Sequence, residues 1–242
     1  MATVDYGEPR GSIFSVLADG KFHHTVTEET PGAVKREWES SDGQKSGVKW
    51  ELLAQSITGL IANLGVYDGD YGKSILITFA GENKATGDTL TDMANDDSVV
   101  VSLSAQSNFG EDFLKKLPNI DIDKPVKLVP YSFEDDKGKK KRGVTVYQDD
   151  VKLQSAYHKE NAKTKKFNAV NGYPAIPKEA KDWDKDEWKL YFGQARIFLL
   201  GEIKKHALFN MERMKRVKEA KKLDEEYPGD DTPGSDPSAI EF

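Results

Sequence analysis

The chain has 242 residues, 37% of them hydrophobic and 10% aromatic, enough apolar material to give one elaborated domain or two small ones a real core. With no cysteine, disulfides, thiolate metal sites and cysteine nucleophiles are excluded, and four histidines leave few candidates for imidazole catalysis. The net charge of −6, taken as an average, argues against a nucleic-acid binder, but it divides unevenly: residues 223–242 hold seven acidic and no basic side chains, leaving residues 1–222 at +1.

The N-terminus has no basic segment followed by an apolar core, and the most apolar stretch, Ala195 to Leu200, is far too short for a membrane span, so a soluble, unsecreted protein is expected. From Gly11 to Tyr157 short runs rich in Val, Ile, Thr and aromatic residues alternate with Gly, Asp and Asn punctuation. Strands are predicted at Ser12–Ala18, Lys21–Glu28, Ala33–Glu39, Lys45–Leu53, Lys73–Phe79, Val99–Ala105, Pro125–Phe133, Gly143–Gln148 and Val151–Tyr157. Asp19-Gly20 and Asp42-Gly43 read as type I′ hairpin turns, because both central residues of that turn need positive φ. Ser56–Leu64 reads as a short apolar helix or a continued strand, and Asn108–Leu117 as a helix that Pro118 ends.

Polar, proline-containing sequence from Lys159 to Asp182 reads as a partly packed linker. Beyond it the period changes: Trp188, Phe192, Ala195, Leu199, Ile203, Ala207, Met211, Met214 and Val217 mark one helix face, with Asp184 and Glu187 as a capping pair. One helix over 184–222, or two broken near His206–Asn210, fits this pattern. The fold class is mainly β with helical additions (α+β), in three parts: a β domain over 1–182, a C-terminal amphipathic helix over 183–222 packed on it, and an acidic tail over 223–242 too poor in apolar residues to order itself.

No phosphate loop, zincin motif, nucleophile elbow or kinase set is present, so no catalytic residue, cofactor or metal is assigned and a non-enzymatic protein is expected. His23 and His24 are adjacent on a strand and point to opposite faces, which leaves them unsuited to one metal; one imidazole buried or stacked is the simpler expectation. Asp182, Asp184 and Asp186 lack the glycine and glutamate of a calcium loop and suit the positive end of a helix dipole.

The basic residues cluster instead. Residues 137–166 carry ten basic side chains against three acidic ones, beside Tyr131, Phe133, Tyr147, Tyr157 and Phe167. A second set joins Lys21, Lys35, Arg36, Lys45 and Lys49 to Phe22, Trp38 and Trp50; a third runs over residues 204–222 at +6. Cations along a groove with rings on which bases stack are the chemistry of single-stranded nucleic-acid binding. The candidate contacts are Lys21, Phe22, Lys35, Arg36, Trp38, Lys49, Trp50, Tyr131, Phe133, Lys139, Lys140, Lys141, Arg142, Tyr147 and Tyr157. Each ring also admits a core reading, and Lys139 to Arg142 that of a solvated hairpin tip. A mobile tail of net −7 tethered to such a body competes with nucleic-acid phosphates, and its apolar end with a free carboxylate suits a partner pocket. Asp230, Asp231, Asp236, Glu241 and Phe242 are its candidate contacts.

The acidic stretch from Asp224 to Phe242, the β-rich body, and the segments Asp19-Gly-Lys-Phe-His23 and Leu117-Pro-Asn-Ile-Asp121 together resemble bacteriophage single-stranded DNA-binding proteins. The resemblance implies an OB-fold-like barrel, sequence-tolerant coating of single-stranded DNA in phage replication and recombination, and a tail that docks replication proteins. It also implies the cytoplasm of a bacterial host. Duplex DNA and RNA stay open as ligands, and the helix admits pairing with a second copy. The alternative is a virion or scaffold protein that self-associates through its long helix.

Overall fold

The computed structural model describes residues 12–40, 43–69, 72–79, 99–161 and 167–206. The chain is mainly β, with thirteen strands and two α-helices among these residues. The strands are β1 (Ser12–Val16), β2 (Phe22–Val26), β3 (Val34–Glu39), β4 (Ser46–Ala54), β5 (Ile57–Gly59), β6 (Ile61–Gly69), β7 (Gly72–Phe79), β8 (Val99–Ser104), β9 (Val126–Glu134), β10 (Lys140–Gln148), β11 (Val151–Lys152), β12 (His158–Glu160) and β13 (Phe167–Ala169). The helices are α1 (Asn108–Lys116) and α2 (Lys185–Ile203).

A seven-stranded mixed sheet has the order β3-β4-β2-β1-β8-β7-β6, and a four-stranded sheet the order β11-β10-β9-β5. β1 pairs antiparallel with β2 and parallel with β8, the feature that makes the larger sheet mixed. Ser56–Leu64 is strand, not helix. The chain bends there, so that β5 pairs with β9 in one sheet while β6, two residues on, pairs with β7 in the other. The two sheets also meet at the β1–β2 turn, where Gly20 lies so close to β9 that a Cβ would stand 2.4 Å from the Ser132 nitrogen.

That turn is not type I′. Gly20 alone has positive φ (76°), and its N–H donates to the Leu17 carbonyl, which gives a longer loop closed by a left-handed glycine. Asp42 lies outside the described residues, and Gly43 (φ 68°) closes the β3–β4 turn in the same manner.

The core gathers alternate residues of the strands (Ile75 and Ile77, Val101 and Leu103, Val126 and Leu128, Val144 and Val146) against Phe113, Leu114 and Leu117. Ser107 caps α1 by accepting from the Gly110 N–H, and Pro118 sits in the 3-10 turn that follows it. α1 lies along the outer edge of β10. Asp112 Oδ2 accepts from the Val144 N–H at 2.9 Å and the buried Lys116 ammonium donates to the Val144 carbonyl, while Lys116 and Asp112 pair at 2.9 Å. Two side chains one helical turn apart thus take the hydrogen bonds that a neighbouring strand would supply.

Asp184 and Glu187 form the expected capping box, each side chain accepting from the other's backbone end of the first turn. The expected long helix over 184–222 is not supported: α2 closes at Ile203, and Lys205 and His206 turn back with N–H bonds to Glu202 and Ile203. Ile203 is the last residue of α2 to reach the core, and Gly201 weakens the final turn. Its buried face is Tyr191, Ala195, Leu199 and Ile203, with Phe192 outside. Residues 207–222 and the acidic tail lie outside the described residues. The strand expected over Val151–Tyr157 is limited to Val151–Lys152, and β12 and β13 form a small hairpin where a linker was expected.

Candidate nucleic-acid interface

The β9–β10 hairpin carries the most coherent set. Asp135 builds its turn: the side chain accepts from the Lys137 and Lys139 N–H groups, its carbonyl from Gly138, and Gly138 takes the left-handed conformation (φ 71°). The Lys139 N–H bond is also the main reason that the Asp135 carboxyl lies below the usual carboxylate range. Lys139, Lys140, Lys141 and Arg142 therefore enter β10 from a fixed tip.

The register then sorts the rings. Phe133 stands opposite Lys141, Tyr131 opposite Gly143, and Tyr147 opposite Lys127. Because side chains alternate along a strand, all six positions share one face, opposite the face that buries Val126, Leu128, Val144 and Val146. Tyr131 lies across Gly143, where a Cβ would come within 2.4 Å of its hydroxyl, and its ring centroid is 5.8 Å from that of Phe133. Burial first, and then the Asp112 carboxylate, raises the Tyr131 pKa, so the phenol stays neutral. Phe133 is 56% exposed, and Lys127 and Lys141 are exposed. Lys140 and Arg142 point to the other face, where Arg142 donates to Ser132 beside the turn that carries Lys21.

The second set divides between two faces of the β3–β4 ribbon. Lys35 stands opposite Trp50 on one face; Arg36 opposite Lys49 and Trp38 opposite Gly47 share the other. The Trp38 ring lies on Gly47, and the Lys49 ammonium is 5.4 Å from the Trp38 centroid, so one ring face is already covered. Two of the expected stacking rings are corrected outright. Phe22 is fully buried, and Tyr157 is buried against Tyr173 and Phe198, so neither has a face that a base could reach. Asp230, Asp231, Asp236, Glu241 and Phe242 lie outside the described residues.

Two features escaped the sequence reading. Lys127 completes the aromatic face, and the alternation Lys127, Val129, Tyr131, Phe133 could have revealed it. The other is a buried polar network. Glu51 accepts from Arg36 through Nε and Nη2, both at 2.7 Å, and stands 2.8 Å from His23 Nδ1, while His23 Nε2 faces Asp19 at 3.0 Å. The Arg36 fork holds the Glu51 carboxyl below its ordinary range, with His23 adding to the effect, and Glu51 raises the Arg36 pKa in turn. Arg36 is therefore committed to Glu51 and is corrected as a free phosphate contact. The two carboxylates bind opposite nitrogens of one ring and do not converge on a point, and among the described residues no group of three or more His, Cys, Asp or Glu is placed to hold a metal. The network ties the β1–β2 turn to the β3–β4 ribbon. His24, on the opposite face, rests on Phe14 with centroids 5.1 Å apart.

Comparison with family models, with curated proteins and with solved structures finds no match for the chain. Among the described residues no helix is long and apolar enough to cross a membrane.

Proposed function

We propose that the protein binds single-stranded DNA without sequence preference, in the replication and recombination of phage DNA, and does so without catalysis. The observation that carries this reading is the single face of β9–β10 on which Tyr131, Phe133 and Tyr147 alternate with Lys127 and Lys141. Rings at the roughly 7 Å repeat of alternate strand positions suit successive unstacked bases, with cations beside them for the phosphates.

The strand order supports an elaborated OB-like barrel. The bent strand β5–β6 pairs with both β7 and β9, β6-β7-β8 form a meander, α1 follows the third strand of that set, and β9–β10 is the closing hairpin. A partly open five-stranded barrel of this order presents loops and sheet faces to oligonucleotides. Here β1 pairs with the edge of β8 and α1 lies against β10. The acidic tail modulates access and docks replication proteins, and the protein acts in the cytoplasm of a bacterial host.

Titration of a fluorescent oligothymidylate at low and high salt tests the reading. Binding is expected at 50 mM salt, an order-of-magnitude choice for weak screening, with affinity falling steeply as salt rises. Removal of residues 223–242 is expected to raise affinity and to abolish contacts with replication partners. No binding at low salt, with or without the tail, sinks the idea. Self-association through α2 is a second reading with one observation in its favour: Leu190 and Ile197 stand 65% and 73% exposed on a helix that is apolar around its circumference. A large DNA-independent mass in light scattering would favour it.

A further inference from the structure

The larger sheet ends at β3, and among the described residues no strand pairs with its outer side. Soluble proteins guard such an edge with proline, a bulge, extreme shortness or a row of like charge. β3 has none of these. It pairs with β4 from Val34 to Glu39 without a shift in register, it contains no proline, and its charged side chains are mixed in sign.

The turn defines which groups the edge presents. The Ser40 N–H donates to the Lys45 carbonyl, and hydrogen-bonding pairs alternate along an antiparallel ribbon. Trp38, Arg36 and Val34 therefore bond across to β4, while Lys35, Glu37 and Glu39 turn their N–H and C=O groups outward. The side chains of these last three share one face of the ribbon, and those of Val34, Arg36 and Trp38 the other. Lys35 and Glu37 are 53% and 83% exposed and pair with each other only loosely, at 3.9 Å, so a better-placed partner can take both. Val34 is exposed as well.

We propose that a second copy of this chain occupies the edge, β3 antiparallel to β3, about a two-fold axis at Arg36. The outward groups of Lys35, Glu37 and Glu39 permit several registers, and charge selects among them. An axis at Lys35 sets two lysines against each other, and an axis at Glu37 sets two glutamates. With Arg36 on the axis, Lys35 faces the partner's Glu37, and Glu37 faces the partner's Lys35. Both pairs are of opposite sign, and both exchange backbone hydrogen bonds, because these are the residues that point outward. On the other face Val34 meets the partner's Trp38, an aromatic pair with a β-branched side chain. The two Arg36 side chains do not oppose this arrangement. Each guanidinium leans back over β4 to Glu51, which accepts from Nε and Nη2 at 2.7 Å and neutralises it. A pairing about a two-fold axis occupies the edge of both copies and so closes at two. It requires no DNA and does not involve α2.

Sedimentation velocity of the full chain over a concentration series is the test. A reversible species of twice the 27.0 kDa chain mass is expected in the absence of DNA. Lys35→Glu and Glu37→Lys each convert both cross-strand pairs to like charge and are expected to weaken dimerisation about tenfold or more. Mixed in equal amounts, the two variants regain opposite charges at both positions, so a heterodimer of near-parental affinity is expected. A chain carrying both substitutions should dimerise again by itself, which separates loss of the contact from loss of the fold. A monomer at every concentration up to about 1 mM, the weak end of specific association, overturns the proposal. A dimer that neither single substitution weakens overturns it too and moves the contact elsewhere, for instance to α2. Failure of both the mixture and the double variant to restore the dimer has the same consequence.

Discussion

Replacing Phe133 and Tyr147 together by alanine is expected to weaken binding of a short oligothymidylate by about 2–6 kcal/mol, since each base stacked on a ring contributes about 1–3 kcal/mol. Both stand on the face that also carries Lys127 and Lys141. Neither contributes to the main core cluster, so the variant should keep its unfolding midpoint to within a small shift. The matched control is Lys139→Gln with Lys140→Gln, on the tip and the opposite face. This pair should lower the salt dependence while leaving the aromatic contribution in place. Fluorescence anisotropy reads both. Affinity unchanged by loss of the two rings would remove the β9–β10 face from consideration.

The second large effect is on stability. Glu51→Ala leaves Arg36 and His23 without the carboxylate that both contact, and breaking a buried ion pair from one side costs about 3–5 kcal/mol. Arg36 is 38% exposed and recovers some solvation, which places the expected loss at the lower end. The pH dependence has a definite sign. Glu51 is more acidic in the folded chain than in the unfolded one, chiefly through Arg36, so its contribution is complete above the ordinary glutamate value of about 4.3 and fades as pH falls through the lower folded value. Glu51→Gln should flatten the acid side of the stability profile relative to the parent chain. Urea denaturation at a series of pH values between neutral and acid measures it, and parallel profiles for the two proteins would refute the assignment.

Most strands were legible because period-two alternation and turn residues are local signals. The β3–β4 ribbon and the β9–β10 hairpin fall where Val48, Trp50 and Leu52, or Tyr131 and Phe133, alternate with charge. The bend that sends β5 to one sheet and β6 to the other was not, since a short apolar run is compatible with helix or strand and only pairing decides. The end of α2 at Ile203 lies a few residues before the break near His206–Asn210 that the sequence left open beside a single helix over 184–222. The apolar period continues past Ile203 and so carries no mark of this end. Of the candidate site, the residue types were readable and the register was not. A shift of one residue exchanges Phe133 and Tyr131 with Ser132 and Glu134, and beyond Lys127 on the same alternation the sequence carries little to say which pair faces outward. The Glu51 network joins residues up to 32 positions apart across three strands and the β1–β2 turn, which no local pattern encodes.

If the chain coats single-stranded DNA as proposed, the helix laid along β10 has a consequence for how neighbouring copies meet. Proteins that coat a lattice often touch their neighbours, and an open strand edge is the readiest way for identical copies to join. At Val144 that route is closed, because both backbone groups are held by Asp112 and Lys116 of the same chain. A second copy therefore cannot extend the sheet through this stretch of β10 without first displacing α1.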